Sequence, residues 1–230
     1  MEENLFLLIG ALLSLGCAVS ACFFLRAGWR KDHWKALLLK STAGMCFVLL
    51  GLLNRGICQD MEFGLLVQLG LCLGCLGDLL LAVRFLKPEQ HDRFFSRGAA
   101  AFALGHLLYI AALLRRGAAL SLALPVFALG LGASMLFFRA EKVQAGKLQL
   151  PAVGYIALVV FMAAAACSAA VRGFSVGLLL FAAGGICFAV SDNLLCAYCF
   201  GTGRSRSVDR AVHISYYAAQ LLIAWSLCFL

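Results

Sequence analysis

Residues 63–85 read FGLLVQLGLCLGCLGDLLLAVRF. A helix needs about 20 predominantly apolar residues to cross the hydrocarbon core of a bilayer, and this run interrupts its apolar and small residues only at Gln68, Asp78 and Arg84. A helix apolar on every side belongs inside a large core or in lipid. The rest of the chain decides between the two. Of 230 residues, 63% are hydrophobic and 13% charged, which leaves too little polar surface to cover a water-soluble exterior. A soluble enzyme, a disordered chain and a secreted disulfide scaffold are excluded, and a polytopic membrane protein remains.

The same ruler applied outward from this run predicts eight spans at approximately 5–25, 36–53, 63–85, 98–114, 118–138, 148–170, 174–200 and 214–230. The expected fold is all-α, a membrane helix bundle forming a single transmembrane domain over 1–230. Strands of a membrane barrel would show alternation with a period of two in segments of about ten residues, and these runs do not. Met1-Glu2-Glu3-Asn4 lacks the basic start of a signal peptide, and the apolar run behind it is too long for one. It is expected to stay as the first span.

The net charge of +8 would raise nucleic acid as a partner in a soluble chain. Here the basic residues lie between apolar runs, so they are read as topology signals and no nucleic acid is expected. Connections after odd-numbered spans carry Arg26, Arg30, Lys31 and Lys35, then Arg84, Lys87, Arg93 and Arg97, then Arg139, Lys142 and Lys147, then Arg204, Arg206 and Arg210. Connections after even-numbered spans carry only Arg55, Arg115, Arg116 and Arg172. The positive-inside bias therefore predicts cytoplasmic basic loops and both termini on the non-cytoplasmic side.

Of the eleven acidic residues, only Asp78 and Asp192 fall within spans. An ionisable group at that depth is expensive, and function is its default explanation; pairing between neighbouring helices is the alternative. Each lies about two-thirds along a span of the same direction, so both are expected in the cytoplasmic half of the bilayer. His106 follows Asp78 by 28 residues, as Gln220 follows Asp192. Phe102 precedes His106 by four, as Tyr216 precedes Gln220. This offset reads as a parallel four-plus-four internal repeat. His106 and Tyr109 share a helix face, as do Tyr216 and Gln220; Tyr217 adjoins them, and Lys40 enters the inner half from the second span. A polar cavity open toward the cytoplasm is expected there.

Two other patterns carry less. Cys72-x-x-Cys75 and Cys196-x-x-Cys199 resemble a thiolate metal site. With the aspartates level, however, the two pairs lie about 15 Å apart at the helical rise, too far for one ion, so no metal is expected. The remaining cysteines in apolar runs behave as small hydrophobes. The basic 201–213 loop is read as a membrane anchor, with lipid phosphates as a second use.

The blocks Gly77-Asp78-Leu-Leu-Leu, Ala101-Phe102-Ala-Leu-Gly105-His106-Leu-Leu-Tyr109, Phe188-Ala-Val-Ser191-Asp192-Asn193-Leu-Leu and Tyr216-Tyr217-Ala-Ala-Gln220-Leu-Leu-Ile resemble, in the same order, those of the lysoplasmalogenase family of eight-span membrane proteins. Family members often carry a proline soon after the span-two lysine, where this chain has Lys40-Ser41-Thr42. The resemblance implies hydrolysis of the vinyl ether bond of a lysophospholipid substrate, giving a fatty aldehyde and a glycerophospho-alcohol. No cofactor is implied, the bilayer is the other partner expected, and the oligomeric state is left open.

The residues suit that reaction on chemical grounds. A vinyl ether hydrolyses by protonation of its β-carbon, and water captures the resulting oxocarbenium ion. The reaction needs a neutral carboxylic acid beside an anion, which two carboxyls sharing a low-dielectric site can supply. Asp78 and Asp192 are the candidate acid–base pair. Lys40, His106, Tyr109, Asn193, Tyr216, Tyr217 and Gln220 are the candidate substrate-binding or supporting residues. Two rivals use the same groups: a proton-coupled small-solute transporter and a non-catalytic lysolipid-binding protein.

Overall fold

The computed structural model describes residues 2–202 and 204–230. Eight long helices follow one another: α1 (Glu2–Trp29), α2 (His33–Arg55), α3 (Met61–Val83), α4 (His91–Arg115), α5 (Leu120–Ala140), α6 (Gln149–Arg172), α7 (Val176–Phe200) and α8 (Arg206–Ser226). Single 3-10 turns precede α4 and α6 and follow α8, and no strand occurs among the described residues. All eight are long and apolar enough to cross a membrane. The chain is therefore an all-α, multi-pass membrane protein.

Helix starts follow from local chemistry. Asp32 and Asp60 accept the free backbone N–H of Lys35 and Phe63 at the heads of α2 and α3, and Ser175 and Ser205 do the same for α7 and α8. Each satisfies a donor that the first turn leaves unpaired. Pro151 falls in the first turn of α6, where its missing N–H has no intrahelical acceptor to lose, and the sixth span forms in full.

Two boundaries differ from the sequence expectation. α4 starts at His91 rather than near residue 98, and α8 starts at Arg206 rather than near 214. A hydropathy ruler stops at Arg93, Arg97, Asp209 and Arg210, whereas arginine is a good helix former and charge does not end a helix. Both extensions lie at the end of the bundle that carries the basic loops.

Seven helices close a ring in the order α1, α2, α3, α4, α6, α7, α8, with α8 also reaching α2 and α3. α5 stands outside, mainly against α6, and buries only Ala123, Ser134 and Phe138. Outward-facing leucines such as Leu15, Leu129 and Leu136 are largely exposed, as a lipid-facing surface requires. Close approach inside the ring depends on small residues. Gly70, Gly74 and Gly77 form one stripe on α3. A Cβ at Gly70 would fall into the Tyr109 ring, one at Gly74 would stand 2.5 Å from Gln220 Nε2, and one at Gly77 2.7 Å from Phe102. The glycines thus seat α4 and α8 against α3 and bring the polar residues of all three together.

Candidate active site

Lys40 projects from the first third of α2 and Asp78 from the last quarter of α3. Lys40 Nζ lies 2.9 Å from Asp78 Oδ1, and both side chains are buried. The α3 and α7 aspartates each take a partner from the preceding helix. Asp192 Oδ2 accepts a 2.6 Å hydrogen bond from the Tyr155 hydroxyl of α6. The sequence offset that relates Asp78 to Asp192 and His106 to Gln220 carries Lys40 to within one residue of Tyr155.

α8 supplies the next layer. Gln220 Nε2 donates to the Tyr216 hydroxyl at 2.9 Å, and Tyr216 stands beside Asp78. Tyr217 packs edge-on against Tyr216 with ring centroids 5.0 Å apart. From α4, His106 Nδ1 lies 2.7 Å from the Phe102 carbonyl, and its ring packs on Phe188 at 4.5 Å and Tyr155 at 5.9 Å. Tyr109 lies deeper, edge-on to Phe181.

Five buried polar atoms in this cluster have no partner: Asp78 Oδ2, His106 Nε2, Tyr109 Oη, Tyr217 Oη and Gln220 Oε1. A buried polar atom without a partner costs about 1–3 kcal/mol, so these five are the atoms of the cluster free to meet a water or a ligand.

A cavity of about 310 Å³ runs in from the basic end, with Trp29, His33, Lys40, Asp192, His213 and Tyr216 in its wall. A second, apolar cavity of about 280 Å³ lies between α4 and α6, walled by Phe95, Ala99, Pro151, Ala152 and Leu195 among others. Tyr155, Asp192 and Phe102 belong to both walls. The Asp192 carboxyl thus stands at the partition between a polar chamber and an apolar one. Asp78 itself lines neither cavity, but its Lys40 partner stands in the wall of the polar chamber.

Asn193 is not brought to this site. Its Nδ2 donates to the Ala189 carbonyl at 2.8 Å, and it faces an apolar groove beside Gly130, Ser134 and Ala163. Successive residues on a helix point in different directions, so a side chain next to Asp192 in sequence is turned away from it in space. The eleven cysteines are free. Cys75 packs on Gly44 of α2 and Cys196 joins the cluster around Phe138 and Ile156, so the two Cys-x-x-Cys pairs lie in different parts of the bundle.

Sequence reasoning missed Tyr155, although depth could have found it. Tyr155 is the seventh residue of α6 and Asp192 the ninth from the end of α7, which places both about 10 Å in from the same end at the helical rise. It also counted Arg84 only among the loop cations, whereas the chain turns its side chain into the cavity wall.

The chain matches no curated protein and no solved structure at a significant level. The YhhN family model matches residues 33–227, a stretch that takes in α2 to α8 and every side chain of the cluster. The chain therefore belongs to the YhhN family, which corresponds to the lysoplasmalogenases that its sequence blocks resemble.

Proposed function

We propose that this protein is a membrane hydrolase that cleaves the vinyl ether bond of lysoplasmalogens. The observation that carries the reading is the position of Asp192, between a polar chamber and an apolar one. A lysolipid has a polar head and an alkenyl chain, and the vinyl ether is the point where they join.

The two carboxyls differ in surroundings, and the difference supports a separate role for each. Asp78 has the Lys40 ammonium at 2.9 Å and serves as the anion. Asp192 has a phenol and apolar walls but, among the described residues, no cation within ion-pair distance, and serves as the proton donor, since burial without a counter-charge favours the neutral carboxyl. Asp192 transfers its proton to the β-carbon of the alkenyl group. The double-bond electrons form the new C–H bond, and the oxygen lone pair makes the adjacent carbon an oxocarbenium ion. Asp78 stabilises that cation and takes a proton from the water that adds to it. The hemiacetal collapses to aldehyde and glycerol hydroxyl, and the proton returned to Asp192 closes the cycle with one water consumed. Positioned acid–base groups of this kind contribute about 10²–10⁴-fold.

Tyr155 steadies the charge left on Asp192 after transfer. Tyr216, Gln220 and His106 orient the water and the ether oxygen, while Tyr109 and Tyr217 hold the floor of the site. The positive-inside bias supports a cytoplasmic position for the basic end, and so for the polar chamber. The test is aldehyde release by purified protein in detergent from a 1-alkenyl lysophospholipid beside its 1-acyl analogue. Release from the alkenyl lipid alone, lost in Asp78→Asn and in Asp192→Asn, supports the reading. Near wild-type turnover in both variants overturns it.

A further inference from the structure

The wall of the polar chamber holds two fixed cations, Lys40 and Arg84. Lys40 is committed to Asp78. Arg84, immediately after α3, has no carboxylate within ion-pair distance among the described residues. Arg115 and Arg116, at the opposite end of the bundle, pair with Glu62 and Asp60; among the described residues Arg84 differs from the other unpaired arginines in having a buried Nε without a partner.

Arg84 is also held as a binding group would be. Its guanidinium carbon lies 4.6 Å from the Phe85 ring centroid and 5.2 Å from that of Phe95, so two aromatic rings hold the fork in place. Its Nε is buried and has no hydrogen-bond partner. Burial pushes the guanidinium below its ordinary range, a cost that a bound anion would offset. Asp209, the other carboxylate in the wall beside Asp192, is occupied by Trp29 Nε1 at 2.8 Å and by His213.

The position fits one ligand group. Arg84 follows Asp78 by six residues, about 9 Å along the helix axis, on the mouth side of the catalytic pair. Phe95, one of its aromatic neighbours, walls the apolar chamber. We propose that Arg84 binds the phosphodiester of the lysolipid headgroup, so that the three glycerol carbons span from the phosphate back to the vinyl ether at Asp192. A guanidinium fork matches two phosphate oxygens in geometry as well as charge. The identity of the lipid rests on the function proposed above, but the anion site itself does not.

The experiment measures binding of a non-hydrolysable 1-alkyl lysophospholipid, the matching 1-alkylglycerol without phosphate, and inorganic phosphate, to wild-type protein, Arg84→Gln and Arg84→Lys in detergent. Arg84→Gln is expected to weaken the phospholipid about ten- to a hundredfold and leave the alkylglycerol unchanged, with Arg84→Lys in between. Inorganic phosphate is expected to compete weakly with the phospholipid, and only where position 84 is basic. Equal loss for both lipids in Arg84→Gln, or loss for neither, overturns the proposal, as does inorganic phosphate binding as tightly as the lipid. If Arg84→Gln does not fold, Arg84→Lys decides in its place: selective loss of the phospholipid supports the anchor, and equal loss or none overturns it. Because no bond breaks in these measurements, a phosphate-dependent difference alongside absent aldehyde release would sink the proposed reaction and leave the anchor standing.

Discussion

The Tyr155 hydroxyl donates to Asp192 Oδ2 across the α6–α7 seam at 2.6 Å, and both side chains face the two chambers that meet there. Tyr155→Phe keeps the ring and removes only the donor. A hydrogen bond to a charged group is worth about 1.5–3 kcal/mol, so kcat/KM for aldehyde release should fall roughly ten- to a hundredfold, with a modest drop in the melting temperature in detergent from the donor lost to buried Asp192. An unaltered rate would mean that Asp192 does not depend on Tyr155.

Protonation at carbon followed by capture of the cation leaves an isotopic record. Hydrolysis in D2O should place one deuterium on C2 of the released aldehyde, read by mass spectrometry after immediate trapping. In water enriched in heavy oxygen, the glycerophospho-alcohol should keep its own oxygen and carry no label. Label on that alcohol would mean that water attacks the glycerol carbon instead, and the oxocarbenium route would be wrong.

Lys40 and Asp78 are interdependent. Removing one partner of a buried ion pair costs about 3–5 kcal/mol, while replacing both with apolar residues is often neutral. Lys40→Met should therefore lower the melting temperature markedly, and Lys40→Met with Asp78→Leu should recover most of it without recovering activity. If the single variant is as stable as wild type, the pair is not a stabilising contact.

The α3 glycine stripe gives a packing test with an internal control. Gly70→Ala sets a methyl group against the Tyr109 ring, and overpacking of this kind costs about 1–3 kcal/mol. Gly132→Ala in α5 meets open space and should leave thermal stability within experimental error.

Filling the apolar chamber should act on chain length. Ala152 lines it between α4 and α6, and Ala152→Phe should raise KM for long-chain substrates more than for short-chain ones at similar kcat. Equal effects across chain lengths would place the alkenyl chain elsewhere.

Much of this architecture could be read from residue types alone, because lipid imposes length and apolarity on every span. Asp78 and Asp192 stood out for the same reason: only two acidic side chains lay within apolar runs. The partners of those residues were harder to see. Tyr155 is one tyrosine near the start of an apolar helix, which is also what an interfacial anchor looks like, and only the α6–α7 contact tells the two apart. Asn193 illustrates the opposite failure, since adjacency in sequence placed it with Asp192 while the helix rotation turned it away. Arg84 lies at the end of an apolar run, where an arginine ordinarily signals topology; Phe85 is its neighbour in sequence, whereas the approach of Phe95 depends on how α4 packs against α3.

The Lys40–Asp78 pair also bears on how the chain gets into its membrane. An isolated lysine or aspartate at the centre of an inserting helix costs about 2.5–3.5 kcal/mol, and the segments that carry them, α2 and α3, are joined by only residues 56–60. If the two segments leave the insertion machinery together as a hairpin, they cancel each other's charge before either meets lipid alone. The contact at the centre of the site would then also be an early checkpoint of biogenesis, and the order in which the spans are released from the translocon becomes part of what assembles it.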